Sequence, residues 1–270
     1  MNNGYVAVID SGIGGFSVLS EMLKIMPNEN YIYFGDNQNA PYGNRTNSDL
    51  FSITMQNLMY LHAFNIKAIV FGCNTISTNL LSKVAYYFPD TAFFGVYPPV
   101  EMNLLHGRKV LMLCTNNTAK KFNETKDFTI LALNDLALDV EKNMFNLDRV
   151  SVEKHIYQGI ETRDFRLKEL LTTKEHLLTT KKLKMIFDHH LRYFDVVILG
   201  CTHYFFVKNK IFNHFRPQLT IGGETLTAKR VKTYLENSNS LVKTKRKQVL
   251  FLGACKDLNK AFFEKTIFIK

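Results

Sequence analysis

The 270-residue chain has no apolar run long enough to span a membrane. Its start, Met1-Asn2-Asn3-Gly4, lacks the basic region of a secretory leader and passes directly into an apolar run. Cysteine is scarce: Cys73, Cys114, Cys201 and Cys255 lie far apart, and no two form a CxxC. That spacing argues against a disulfide scaffold in a chain of this size and fits a reduced, cytoplasmic protein. Acidic residues are outnumbered, 24 against 34 Lys plus Arg, for a net charge of +10. The basic residues are scattered apart from Lys243-Thr244-Lys245-Arg246-Lys247, and no nucleic-acid-binding motif accompanies that run. The positive balance therefore suits an anionic small molecule better than a nucleic acid. What the chain has in quantity is core material, with 46% apolar residues including 22 Phe.

The apolar patterning is that of an α/β protein. Tyr5 to Ile9 reads as a strand that ends at Asp10-Ser11-Gly12-Ile13-Gly14-Gly15. From Phe16 the apolar spacing turns helical through Leu19, Leu23 and Met26, and Pro27 stops it. Residues 31–35 read as a second strand, leading to Asp36 and the turn Ala40-Pro41-Tyr42-Gly43. A helix capped by Ser48 runs to about His62. A strand ending in Gly72-Cys73-Asn74-Thr75 follows, then a helix to Phe88 and a strand from Phe93. At Lys109 the order restarts. Val110 to Leu113 ends in Cys114-Thr115, Ile130 to Leu133 forms the next strand, and a helical stretch over about 173–193 leads to Val196 to Leu199, closed by Gly200-Cys201-Thr202-His203. Strand, polar turn, helix, strand and Gly-Cys thus occur twice, which predicts two pseudo-symmetric lobes, each a mostly parallel sheet flanked by helices. The expected division is residues 1–98 plus 206–270 for the first lobe and 99–205 for the second.

Each chemical candidate has a bland alternative. The Gly-rich turn after Asp10 is not a dinucleotide fingerprint, since the third glycine is missing where Ser17 stands. A carboxylate there would also repel a phosphate. Asp10 suits an amino group or a proton relay, or simply caps a helix. Cys73 sits where a helix N-terminus would favour thiolate, although a lone cysteine is more often a small buried hydrophobe. Cys201 has His203 two residues on as a proton partner. Cys114 and Cys255 lack such settings and read as structural. A metal site on Cys201 and His203 lacks a second ligand pair at zinc spacing, and His189-His190 reads as solvent-facing. A Cys-His nucleophile would use one cysteine and leave the other idle. Two cysteines at matched strand ends, 128 residues apart, fit another kind of chemistry, in which a stereocentre is inverted by taking a proton from one face and returning one to the other.

Asp10-Ser11-Gly12-Ile13-Gly14-Gly15, Pro41-Tyr42-Gly43, Cys73-Asn74-Thr75 and Gly200-Cys201-Thr202-His203-Tyr204 together resemble, in order and spacing, the glutamate racemase family. The resemblance implies an active site in the cleft between two α/β lobes, no cofactor and no metal, and a homodimer that supplies D-glutamate for peptidoglycan. It implies Cys73 and Cys201 as the acid/base pair, Asp10 and His203 assisting them, and Glu141 in the family's acidic helix position. It assigns Asp10, Ser11, Pro41, Tyr42, Gly43, Asn74, Thr75, Thr115, Thr118 and Thr202 to the substrate. The chain departs from the family at Phe205, where Pro is usual, at Ile76, where Ala is usual, and at Ile221-Gly222-Gly223-Glu224, where an Asp-Ser-Gly-like turn is common. "Glutamate" comes from the resemblance alone, because discrimination from aspartate turns on one methylene. A related aspartate racemase, or a racemase-like binding protein, are the alternative readings.

Overall fold

The computed structural model describes residues 4–161, 194–242 and 248–267. The expected helix over 173–193, His189-His190 and the basic run at 243–247 lie outside the described residues. In the first lobe, β1 (Tyr5–Asp10), β2 (Asn30–Gly35), β3 (Ile66–Phe71), β4 (Phe93–Gly95) and the late β9 (Gln248–Leu252) form one sheet in the order β4-β3-β1-β2-β9. In the second, β5 (Val110–Cys114), β6 (Phe128–Ala132), β7 (Val196–Gly200) and β8 (Leu219–Gly222) form a sheet in the order β6-β5-β7-β8. Every pairing is parallel. Strands covered on both faces read as unbroken apolar runs rather than alternations, and Val6 to Ile9, Val110 to Leu113 and Val196 to Leu199 are all buried.

The helices on these sheets are α1 (Phe16–Ile25), α2 (Asn47–Leu61), α3 (Asn74–Tyr87), α4 (Asn116–Ala119), α5 (Asn134–Lys142), α6 (Val152–Glu161), α7 (Lys208–Phe215), α8 (Glu224–Asn237) and α9 (Lys256–Ile267). The N-cap of α2 is Thr46, not Ser48: the Thr46 hydroxyl accepts the Asp49 N–H at 3.1 Å. The helices α6 and α9 are not announced by the apolar pattern.

The repeat is closer than the sequence suggested. The order β4-β3-β1-β2 of the first sheet matches β8-β7-β5-β6 of the second, strand for strand, with β9 added to the first. This corrects the expected lobe boundary at 205, because β8 pairs with β7 in the second sheet. Four residues at a sheet edge, only partly buried and with a polar Thr220 inside, carry too weak an apolar signal to be read as a strand of either lobe. The chain returns to the first lobe through Gly223 and α8, which packs against α1. One apolar cluster joins the lobes, running from Val8 and Phe16 through Leu113, Leu199 and Ile211 to Val231.

Candidate active site

The parallel sheets bring Asp10, Cys73 and Cys201 to carboxyl strand ends, where an α/β sheet binds ligands. Asp10 closes β1 and is fully buried. Its Oδ2 accepts the Gly12 N–H at 2.9 Å, while Oδ1 has no partner among the described residues. Burial raises its carboxyl above the usual range, against the opposing pull of His203. Asp10 therefore does not cap α1, whose N-cap is Gly15.

Cys73 is the N-cap residue of α3, with extended backbone and no side-chain cap hydrogen bond, and the backbone N–H groups of Ile76 and Thr75 act to lower its thiol. A helix N-terminus by itself favours thiolate there. Instead, burial, followed by the negative charge of Asp10, outweighs those N–H groups and pushes the thiol up. Cys201 follows β7, and its Sγ lies 3.8 Å from His203 Nδ1. The other imidazole nitrogen, Nε2, meets Glu141 Oε1 at 2.6 Å. Burial alone would depress His203, but Cys201 and Glu141 prevail and hold it well above its ordinary value. The two thiols thus sit in opposite electrostatic surroundings: an anion beside Cys73 and an incipient imidazolium beside Cys201.

Glu141 comes from α5 of the second lobe yet reaches the turn after β1, where its Oε1 also accepts the Ile13 N–H at 2.5 Å. The glycines of that turn are explained by this approach. A Cβ on Gly12 would lie 1.8 Å from Glu141 Oε1, and one on Gly14 would lie 2.6 Å from His203 Nδ1. The Gly-rich loop receives a carboxylate and an imidazole rather than a phosphate. Tyr33 steadies it by donating to Gly12 O at 2.6 Å.

The remaining expected residues fall into three groups. Thr75 and Thr115, from different lobes, share a hydrogen bond at 3.1 Å, and Thr115 continues to Thr118 at 3.2 Å. Asn74 Oδ1 and Thr202 Oγ1 are buried without a partner among the described residues, as is Asp10 Oδ1. Buried polar atoms of this kind suit the ammonium and carboxylate of a small substrate. Ser11, Tyr42 and Gly43 are buried, and Pro41 precedes Tyr42 after a cis Ala40–Pro41 bond. The Tyr42 hydroxyl is committed to Asp36 Oδ2 at 2.5 Å, and Asn39 and Asn57 donate to the same carboxylate. Cys114 is buried under Tyr204, whose hydroxyl donates to the Cys114 carbonyl at 3.2 Å.

Asp10, Glu141 and His203 present ligand atoms within 4.8 Å of one another, a spacing open to a cation. However, His203 Nε2 and Glu141 Oε1 stand at hydrogen-bond distance, closer than the about 3.3 Å between two ligands of a tetrahedral zinc. The arrangement is better suited to moving protons. Sequence reasoning missed Asp36, Asn37, Asn117 and Asn259. Asp36 had a usable signal, since it stands at the end of β2 as Asp10 stands at the end of β1. Asn117, which donates to Arg45 O at 2.7 Å across the lobes, had none.

No protein-family model matches the chain. A curated glutamate racemase of Clostridium botulinum (strain Alaska E43 / Type E3) is 32% identical over 251 residues, 88% of this chain and 86% of the relative. Among solved structures, a glutamate racemase isoform from Bacillus anthracis aligns over 100% of this chain and 96% of its own, with TM-score 0.73 and 21% identity. The glutamate racemase from Thermus thermophilus in complex with β-chloro-D-alanine aligns over 98% and 93%, with TM-score 0.70 and 23% identity. At those identities the two structures speak for the fold.

Proposed function

Because the chain belongs to the glutamate racemase family of isomerases, we propose that it interconverts L- and D-glutamate by a two-base mechanism on Cys73 and Cys201. A thiolate on one face takes the α-hydrogen as a proton and leaves the C–H electron pair on the α-carbon. The thiol on the other face delivers its proton to that pair. The products are the opposite enantiomer and a swapped thiol and thiolate, so no redox partner is needed. The single observation that carries this reading is that the Cys201 sulfur lies 3.8 Å from His203, itself hydrogen-bonded to Glu141, while Cys73 lies in the negative field of Asp10. In the resting enzyme burial, with Asp10, keeps Cys73 protonated. The α-proton is far less acidic than a thiol, so the carbanionic transition state needs electrostatic help. The helix N-terminus behind Cys73 and the polar groups of Asn74, Thr75, Thr115, Thr118 and Thr202 are candidates to give it, by holding the α-carboxylate.

The test is deuterium incorporation at the α-carbon in heavy water from each enantiomer, with L-aspartate as comparator and rotation followed by circular dichroism. Each glutamate enantiomer should gain deuterium, and Cys73→Ser and Cys201→Ser should each lose at least about a hundredfold in racemisation. Near-parental turnover by either variant would refute the two-base assignment.

The reading extends to D-glutamate supply for peptidoglycan in the cytoplasm, by a homodimer. Among the described residues no helix is long and apolar enough to cross a membrane. The outer helices α2 and α3 expose Met59, Tyr60, Tyr86 and Tyr87, apolar surface of the sort a second copy would cover. Complementation of a D-glutamate-requiring bacterial strain tests the first point, and sedimentation equilibrium tests the second.

A further inference from the structure

The carboxylate of Glu141 is gripped from the first lobe by more than the Ile13 N–H. Its second oxygen, Oε2, accepts Nδ2 of Asn37 at 3.2 Å, and the carbonyl oxygen of Asn37 in turn accepts Nδ2 of Asn259 at 2.9 Å. Asn259 is fully buried on α9, in the C-terminal part of the chain. It reaches Asn37 across Gly35, where a Cβ would lie 2.4 Å from Asn259 Nδ2. A carboxylate only accepts hydrogen bonds, so Asn37 must show it the NH2 end. Its oxygen is then turned to Asn259, which must show its own NH2 end. The polarity of both amides is thus set from Glu141 outward, and reciprocally Asn259 keeps Asn37 from turning its oxygen toward the carboxylate.

We propose that Asn37 and Asn259 are positioning residues that hold the Glu141 carboxylate against His203 and so set the Cys201 half of the acid/base pair. The inference rests on the reading that Glu141 and His203 assist Cys201. Asn37 is the contact, and Asn259 is the latch that orients it. The C-terminal helix, far from the motifs in sequence, therefore acts on the site through two amide groups.

The experiment uses the full chain and follows racemisation of both glutamate enantiomers across pH. Asn259→Asp is nearly isosteric but can only accept, so it draws the Asn37 NH2 to itself and turns that amide's oxygen toward Glu141. Losing a hydrogen bond to an ionised group should lower kcat about tenfold to a hundredfold. The acid limb of the pH profile should move to higher pH, because the charged Glu141–His203 pair loses a supporting donor. Asn37→Ala, at a half-buried position, should shift the acid limb the same way. In the Asn37→Ala background, Asn259→Asp should change neither kcat nor the acid limb further. A parental pH profile in both single variants, in an enzyme whose parent racemises glutamate and whose Cys201→Ser variant is dead, would overturn the inference and leave the two-base reading standing. Additive losses in the double variant would also overturn it, since they would mean that Asn259 acts through packing. A parent that does not racemise glutamate would instead sink the underlying reading.

Discussion

At the residue scale, burial decides more than local motif. Cys73 shows this: the backbone N–H groups at the start of α3 pull its thiol down, but burial and the charge of Asp10 keep it protonated. Asp10 is itself raised by burial, so the charge that would bind a substrate ammonium is lost at a higher pH than for an ordinary aspartate. Asp10→Asn should cost about a hundredfold in kcat/KM at neutral pH, measured by circular dichroism, and the loss should shrink at the acid end, where the parent has lost the same charge. Glu224 carries a similar shift outside the site. Burial, with Glu21 adding to it and Lys208 and Ser17 opposing, pushes its carboxyl up to about 7. The folded state therefore binds the proton more tightly than the unfolded chain. That stabilisation is complete below the ordinary value of 4.5 and is lost as pH rises through about 7. Glu224→Gln should be close to neutral at pH ~5 and should raise Tm by several degrees at pH ~8, reflecting up to about 3 kcal/mol.

At the scale of the element, the turn between β1 and α1 is the part with least tolerance. It admits Glu141 and His203 from the other lobe only because Gly12 and Gly14 have no side chains. Gly12→Ala should lower kcat by at least about a hundredfold, because the carboxylate must leave both the Ile13 N–H and His203. The melting temperature should move much less than the activity, since α1 and β1 keep their apolar packing. A variant that lost stability and activity in proportion would show that the turn serves the fold and not the site. The helix α5 has a brace of its own, His155 Nε2 against Asp139 Oδ2 at 3.0 Å, which ties it to α6 close to Glu141.

For the whole molecule, the net charge of +10 bears on how an anionic substrate arrives. If glutamate is steered by that field, kcat/KM should fall as sodium chloride rises from ~0.01 to ~0.5 M, while kcat changes little. A flat kcat/KM would mean that the charge serves something else. The two lobes are also held at the site by side chains rather than by apolar packing alone: Glu141 on Ile13, Thr75 with Thr115, and Asn117 on Arg45. Substrate-dependent protection of those lobe contacts should be visible by hydrogen exchange at the 10–15 and 114–118 segments.

The sequence alone determined what short-range patterning can carry. Continuous apolar runs announced parallel buried strands, the change of period at Phe16 announced the first βα unit, and matched Gly-Cys strand ends announced the two thiols. The repeat followed from the same signals, and the family resemblance from the motifs at those strand ends. Tertiary structure decided whatever depends on partners distant in sequence. It placed β8 in the second sheet, because an edge strand of four residues is defined by its neighbour rather than by its own pattern. It left the Cys73 thiol protonated, because desolvation is a property of the surrounding fold. It brought Asn259 to Asn37, 222 residues apart, because an amide gives no sign in sequence of what it will face once the chain has folded.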